Sequence, residues 1–277
     1  MTVGRGSIRR GALIAAVIIA AAALVVEMAP HSAASDRPRL RPPAADTGTW
    51  GAGKLPAPVS PAFDVPSPRP LRASAYDVRW APVRRPAVAR AKPALAAAAV
   101  TRLSERTPEG TSNLVLVLGA QHGPAGGLWV HVLLPILPPN TSGWVERSAL
   151  GGYRFVNTRL VVDARTLRAT LFRDRRVVFR APVGVGTPAT PTPRGSFYIR
   201  DRLTRYASPF YGPIAFGTSA RSAFVTDWPD GGFVGIHGTD QPGRIPGHVS
   251  HGCIRMRNHD IVKLASLMPV GTPVLIR

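Results

Sequence analysis

Cysteine is all but missing from this chain: its 277 residues contain one, Cys253. No disulfide can therefore form within the chain, and the thiol is either an inert small hydrophobe or a group kept for chemistry. Lysine is also scarce, almost all of the base being arginine, and acidic residues are few: 15 Asp and Glu against 35 Lys and Arg, a formal net charge of +20. That excess raises nucleic acid, anionic lipid and anionic polymer as partners. The chain lacks an RNP-type aromatic pattern, zinc-finger spacing and a basic helix, so a nucleic-acid reading has only charge behind it and no nucleic-acid partner is expected. No internal repeat is visible.

What is abundant is Ala, Arg, Gly and Pro, with 27 Gly and 29 Pro, the mark of a GC-rich, actinobacterial-type coding sequence and of a turn-rich β protein with long irregular stretches. Arg5, Arg9 and Arg10 precede an uncharged apolar run over 11–26, with a small-residue site at Ser32-Ala33-Ala34. This is the layout of an export signal or an N-terminal membrane anchor, placed at residues 1–34. Residues 35–106 lack any period of 2 or 3.6 and read as a disordered Pro/Ala/Arg-rich tether, with Trp50, Phe63, Tyr76 and Trp80 as isolated aromatics. Charge is densest there: 13 basic against 5 acidic residues over 31–106, compared with 19 against 9 from Thr107 onward. The tether therefore suits an anionic wall polymer or lipid head groups. The protein is expected in the cell wall or on the outer face of the cytoplasmic membrane.

Order is expected from about residue 107. Leu114–Leu118, Leu128–Val132 and Gly143–Val145 read as short strands of a small β module over 107–152, with His122 and His131 as surface or structural residues and not ligands. From 153 to 277 the strand signals continue, with a hairpin turn at Asp174-Arg175, a tight turn over 191–195, and long loops over 201–232. One helix is persuasive, capped by Asn258 and carrying Ile261, Leu264, Ala265 and Met268 at helical spacing before Pro269. The fold class is mainly β.

Two segments concentrate the reactive groups: Ile236-His237-Gly238-Thr239, and His248 to Met256 around Cys253. A thiol is mostly protonated at neutral pH, so a nucleophilic role needs an imidazole, positive charge or convergent amides beside it. His237 and Cys253 can form such a pair, and Gly252, lacking Cβ, lets the backbone turn so that the amides of Gly252 and Cys253 aim at an oxyanion. His237, His248, His251 and Cys253 are also plausible zinc ligand types, but no carboxylate stands near for a metal-bound water. A buried inert cysteine fits poorly among Ser250, His251, Gly252 and Arg255.

These segments, with Gly271-Thr272-Pro273-Val274 and the upstream Gly186-Thr187-Pro188 and Thr190–Phe197, resemble the signature of the L,D-transpeptidase catalytic domain, also called YkuD, over about 155–276. Residues 111–150 resemble the SH3-like piece that often precedes this domain in actinobacterial members. The resemblance implies an L,D-transpeptidase-type β-sandwich and no metal or organic cofactor. It implies that Cys253 attacks peptidoglycan stem peptides between residue 3 and D-alanine, with His237 as base and the carbonyl of Gly238 orienting it. A side-chain amine then resolves the thioester into a 3→3 cross-link, or water resolves it as in an L,D-carboxypeptidase. His251 would shape the thiolate pocket. Gly252 and Ser250 would serve the substrate or oxyanion, and Arg255 would hold a substrate carboxylate or stabilise the loop. A non-catalytic wall-binding module with an inert Cys253 is the rival of another class.

Overall fold

The computed structural model describes residues 77–204, 208–225 and 232–277. The expected export segment, Trp50, Phe63, Tyr76 and most of the tether lie outside these. The described strands form two sheets.

The first sheet holds β1 (Val78–Pro82), β2 (Ala87–Arg90), β3 (Ala99–Leu103), β4 (Leu114–His122), β5 (Leu128–Leu133), β6 (Ser142–Glu146) and β7 (Arg154–Val156), in the order β3-β2-β6-β5-β4-β1-β7. This corrects the expected boundaries. Residues 78–103, read from sequence as tether, supply three strands, and β1 lies between β4 and β7, paired antiparallel with each. Trp80, read as an isolated aromatic, is 7% exposed and packs in a cluster with Leu114, Leu116, Leu133, Val156 and Tyr198. His131 stacks on Trp144 at 4.7 Å and bonds Ser142 Oγ through Nε2 at 2.9 Å, so it is structural.

The second sheet is built from β8 (Thr158–Asp163), β9 (Arg168–Arg173), β10 (Arg176–Pro182), β11 (Gly184–Gly186), β12 (Gly195–Leu203), β13 (Ala215–Arg221), β14 (Phe233–His237), β15 (Gly247–Ser250), β16 (Ile254–Arg255) and β17 (Pro273–Ile276). Its order is β10-β9-β8-β17-β12-β13-β14-β16-β11-β15. Asp174 and Arg175 both take positive φ between β9 and β10, as a two-residue hairpin turn matched to strand twist requires. β12 joins the two halves: residues 195–198 pair with β17 and residues 199–203 with β13. Strands occupy 201–203 and 215–221, so the stretch expected to be loops is only partly so; its Gly, Ser and Arg content hid a half-buried strand.

Apolar residues from both halves, Leu160, Leu171, Phe197, Ile199, Phe216, Ile236, Ile254 and Ile276 among them, share one core. The one α-helix among the described residues, α1 (Asn258–Leu267), closes it with Ile261, Leu264 and Ala265. Arg257, not Asn258, is the N-cap, and it makes no side-chain cap bond. The two sheets also touch directly. Tyr198 Oη donates to the carbonyl of Leu114 at 3.2 Å, the Ser196 N–H donates to Asn140 Oδ1 at 2.7 Å, and Gly271 lies against the Trp80 ring.

Candidate active site

The site is assembled by strand register. β14 and β16 run parallel with Ile236 opposite Ile254 and His237 opposite Arg255, which brings Gly235 beside Cys253. The Gly235 N–H points at Cys253 Sγ at 3.4 Å. A Cβ added at Gly235 would stand 3.7 Å from His237 Cδ2 and 3.9 Å from Cys253 Sγ. Imidazole and thiol therefore flank the same empty position, and only the missing side chain leaves the space between them open.

His237 is 1% exposed. Its Nδ1 lies 2.6 Å from the carbonyl oxygen of Gly238. A carbonyl can only accept, so Nδ1 carries the proton and Nε2, next to Cδ2 on the cysteine side, is left with its lone pair when the ring is neutral. Burial pushes the His237 pKa down to about 4; the bond to Gly238 opposes this and the Arg255 charge adds to it. The ring is therefore neutral at pH 7 and able to accept a proton. Tyr211 meets it edge-on at 4.8 Å, with Phe210 at 6.1 Å.

The strand carrying His237 is held at both ends of the site. The Met256 N–H donates to the His237 carbonyl at 2.8 Å. Asn258, expected to cap the helix, instead accepts the Thr239 N–H on Oδ1 at 2.9 Å. A backbone amide beyond the histidine wins this side chain from the helix terminus, and it thereby fixes the turn containing Gly238.

Cys253 sits in the turn between β15 and β16. Gly252 adopts φ +118°, a conformation that side-chain-bearing residues rarely take. Its N–H donates to Ser250 Oγ at 3.1 Å, and Ser250 Oγ donates to the Cys253 carbonyl. This corrects two expectations: the Gly252 amide is engaged inside the turn and is not aimed at an oxyanion, and Ser250 is a brace with no free hydroxyl proton for substrate. A residue read only as part of the 191–195 turn completes the support. Thr192 Oγ1 donates to the Gly252 carbonyl at 2.9 Å and accepts the Gly186 N–H at 2.8 Å. His248 Nδ1 bonds the Gly186 carbonyl at 3.1 Å, which ties that histidine to β11.

Arg255 is 6% exposed, lies with Cζ 4.4 Å over the Phe210 ring, and has a buried Nε without a hydrogen bond. Burial lowers its pKa, while attraction to Cys253 raises it. The guanidinium is thus near enough to the thiol to favour a thiolate. His251 is exposed on the rim. Among the described residues, no three His, Cys, Asp or Glu side chains converge as metal ligands. Cys253, His237, Arg255, Ser250 and His251 all line one cavity of about 440 Å³, shared with Phe210, Tyr211, Gly217, Phe233, Gly235 and Glu109.

Residues 157–276 match the L,D-transpeptidase catalytic domain, YkuD. Against the YkuD protein of Bacillus subtilis the chain is 40% identical over 115 residues, covering 42% of this chain and 62% of that protein. Against YqjB of the same species it is 32% identical over 125 residues, 42% of this chain and 69% of that one. Both relatives carry the name L,D-transpeptidase, and the chain spans less than two thirds of the first. The solution structure of the catalytic domain from an Enterococcus faecium L,D-transpeptidase aligns with 43% of this chain and 96% of that chain, at 26% identity and a TM-score of 0.34. With 32% identity across more than two thirds of YqjB, and the matched domain enclosing both His237 and Cys253, the chain belongs to the YkuD family of L,D-transpeptidase catalytic domains.

Proposed function

We propose that this protein is an exported cysteine acyltransferase that acts on peptidoglycan stem peptides, with Cys253 as nucleophile and His237 as general base. The observation that carries the reading is the pair of groups around Gly235, an Sγ and a neutral imidazole whose Nδ1–H is fixed by Gly238. His237 Nε2 removes the thiol proton as Sγ attacks the carbonyl of stem residue 3, and the Arg255 charge offsets the negative charge that develops. The same Nε2–H then protonates the amine of the departing D-alanine, leaving a thioester. The side-chain amine of a second stem opens the thioester, its proton passes to His237, and a 3→3 amide results. Water in place of the amine gives a trimmed tripeptide. The basic segment before residue 77 would hold the enzyme to anionic polymer or lipid head groups outside the membrane.

The test is intact-mass measurement after incubation with a carbapenem, a β-lactam that acylates a competent thiol. Wild type should gain one adduct and Cys253→Ala none. An adduct of equal yield on the alanine variant would sink the assignment. Digestion of the wall after deletion of the gene should show loss of 3→3 cross-links; a gain of tetrapeptide stems without that loss would point to the carboxypeptidase.

A further inference from the structure

The cavity that contains Cys253 is also lined by Glu109, a residue of the loop between β3 and β4 and outside the stretch matched to the catalytic domain. Arg200 of β12 draws it there: the two side chains lie 3.7 Å apart, with Arg200 2% and Glu109 14% exposed. The pairing is incomplete. Glu109 Oε2 and Arg200 Nε and Nη1 are all buried without a hydrogen bond. Arg200 is not free to swing toward a better fit, because it and Arg221 stack on Phe233, with Cζ 3.9 and 4.4 Å from the ring centroid. Among the described lining residues Glu109 is the one carboxylate, and neither Arg200 nor Arg221 reaches the cavity wall.

Strand register gives the separation from the thiol. Asp201, next to Arg200, pairs with Gly217, Gly217 pairs with Gly235, and Gly235 adjoins Cys253. Three inter-strand steps at ~4.8 Å amount to roughly 14 Å. Both intermediate positions are glycine and both line the cavity. The Asp201 carboxyl lies where a Cβ on Gly217 would stand and accepts the Gly217 N–H at 2.9 Å, so the acidic end begins over Gly217 and the open floor lies at Gly235.

We propose that Glu109 binds the primary ammonium on the side chain of the stem residue whose carbonyl is transferred to Cys253, so that the first sheet takes part in donor recognition. This rests on the acyl-transfer reading above. Glu109 Oε2 faces Arg200 and is closed to the cavity, so the ammonium would meet the part of the Glu109 carboxylate that lines the cavity. Asp201, its pKa raised by burial and by Glu109, stands beside it as a second acid, and an ammonium brings N–H donors and positive charge to that pair. A carbonyl at Sγ and a long side chain laid over the glycine floor put that ammonium on the Glu109 side of the cavity. A carboxylate there would be repelled by Glu109 and Asp201, and a neutral end would forgo the attraction that an ammonium gains from them.

The experiment is single-turnover acylation of the full chain, read by intact mass, with two tetrapeptide donors that differ only in whether the residue-3 side-chain amine is free or N-acetylated. Wild type should favour the free amine. Glu109→Gln should lower kcat/KM on that donor by roughly tenfold and on the acetylated donor by less than twofold, with Glu109→Asp between. Equal losses on both donors would mean that Glu109 serves only to hold Arg200, and would overturn the proposal, as would no loss on either. If Glu109→Gln does not fold, the wild-type ratio decides: no preference for the free amine overturns it. Failure of wild type to be acylated by both donors and by a carbapenem overturns the acyl-transfer reading and this proposal together. Acylation by the carbapenem without discrimination between donors overturns only the latter.

Discussion

Lowering the pH through the titration of His237 should expose the energy stored in its burial. The ring is held neutral with a pKa of about 4, against 6.5 for the free side chain. As pH falls through that window the unfolded chain takes up a proton that the folded chain refuses, so the contribution to stability is complete above about pH 6.5 and is lost toward pH 4. The shift of about 2.5 units corresponds to a limit of ~3 kcal/mol at 1.36 kcal/mol per unit. Between pH 7.5 and pH 4.5 roughly 2.5 kcal/mol of it should disappear. Other groups titrate in the same range. Asp201, its pKa raised by burial and by Glu109, acts with the opposite sign, since its folded form holds a proton that the unfolded form loses as pH rises. The wild-type profile alone is therefore flattened, and the informative quantity is the difference between wild type and His237→Gln, in which the Asp201 contribution cancels. Urea unfolding of both proteins at intervals from pH 7.5 to 4.5 measures it. Parallel profiles over the whole range would refute the depressed pKa.

Three further outcomes follow from the packing. Gly271→Ala puts a methyl into the Trp80 ring at a φ of +82°, and should destabilise by about 2–4 kcal/mol, read as a lower melting temperature; an unchanged melt would show that the two sheets do not depend on this contact. Thr192→Val leaves the Gly186 N–H and the Gly252 carbonyl without their partner. It should cost about 2 kcal/mol and slow carbapenem acylation more than thiol alkylation in denaturant, where a difference in the second assay would indicate a trivial cause. A fragment of residues 77–277 should unfold cooperatively, whereas 107–277, which lacks the strand between β4 and β7, should not; equal, sharp transitions for the two would contradict the role given to β1.

The sequence by itself determined the reactive inventory and much of the local structure. A lone cysteine after a glycine and two residues before an arginine, a histidine at a strand end followed by glycine, the Asp174-Arg175 turn and the helix ended by Pro269 depend on neighbours a few residues away, and patterns of that range are legible in one chain. Tertiary structure decided the rest. β1 to β3 are four or five residues long, rich in Ala and Arg and set among prolines, so they carry no alternation strong enough to stand out from a tether; pairing with β4, β6 and β7 makes them strands. Asn258 has the residue type of a helix cap, but the Thr239 amide, 19 positions away, is brought to it by the fold. Gly252 turns as expected, yet its amide is taken by Ser250, because the tight turn brings the hydroxyl two residues back to within 3.1 Å of it. Glu109 gives no local sign of belonging to a cavity whose thiol lies 144 positions further along. Such contacts are fixed by strand register and by the seating of one sheet on another, and those depend on which distant residues fill the shared core.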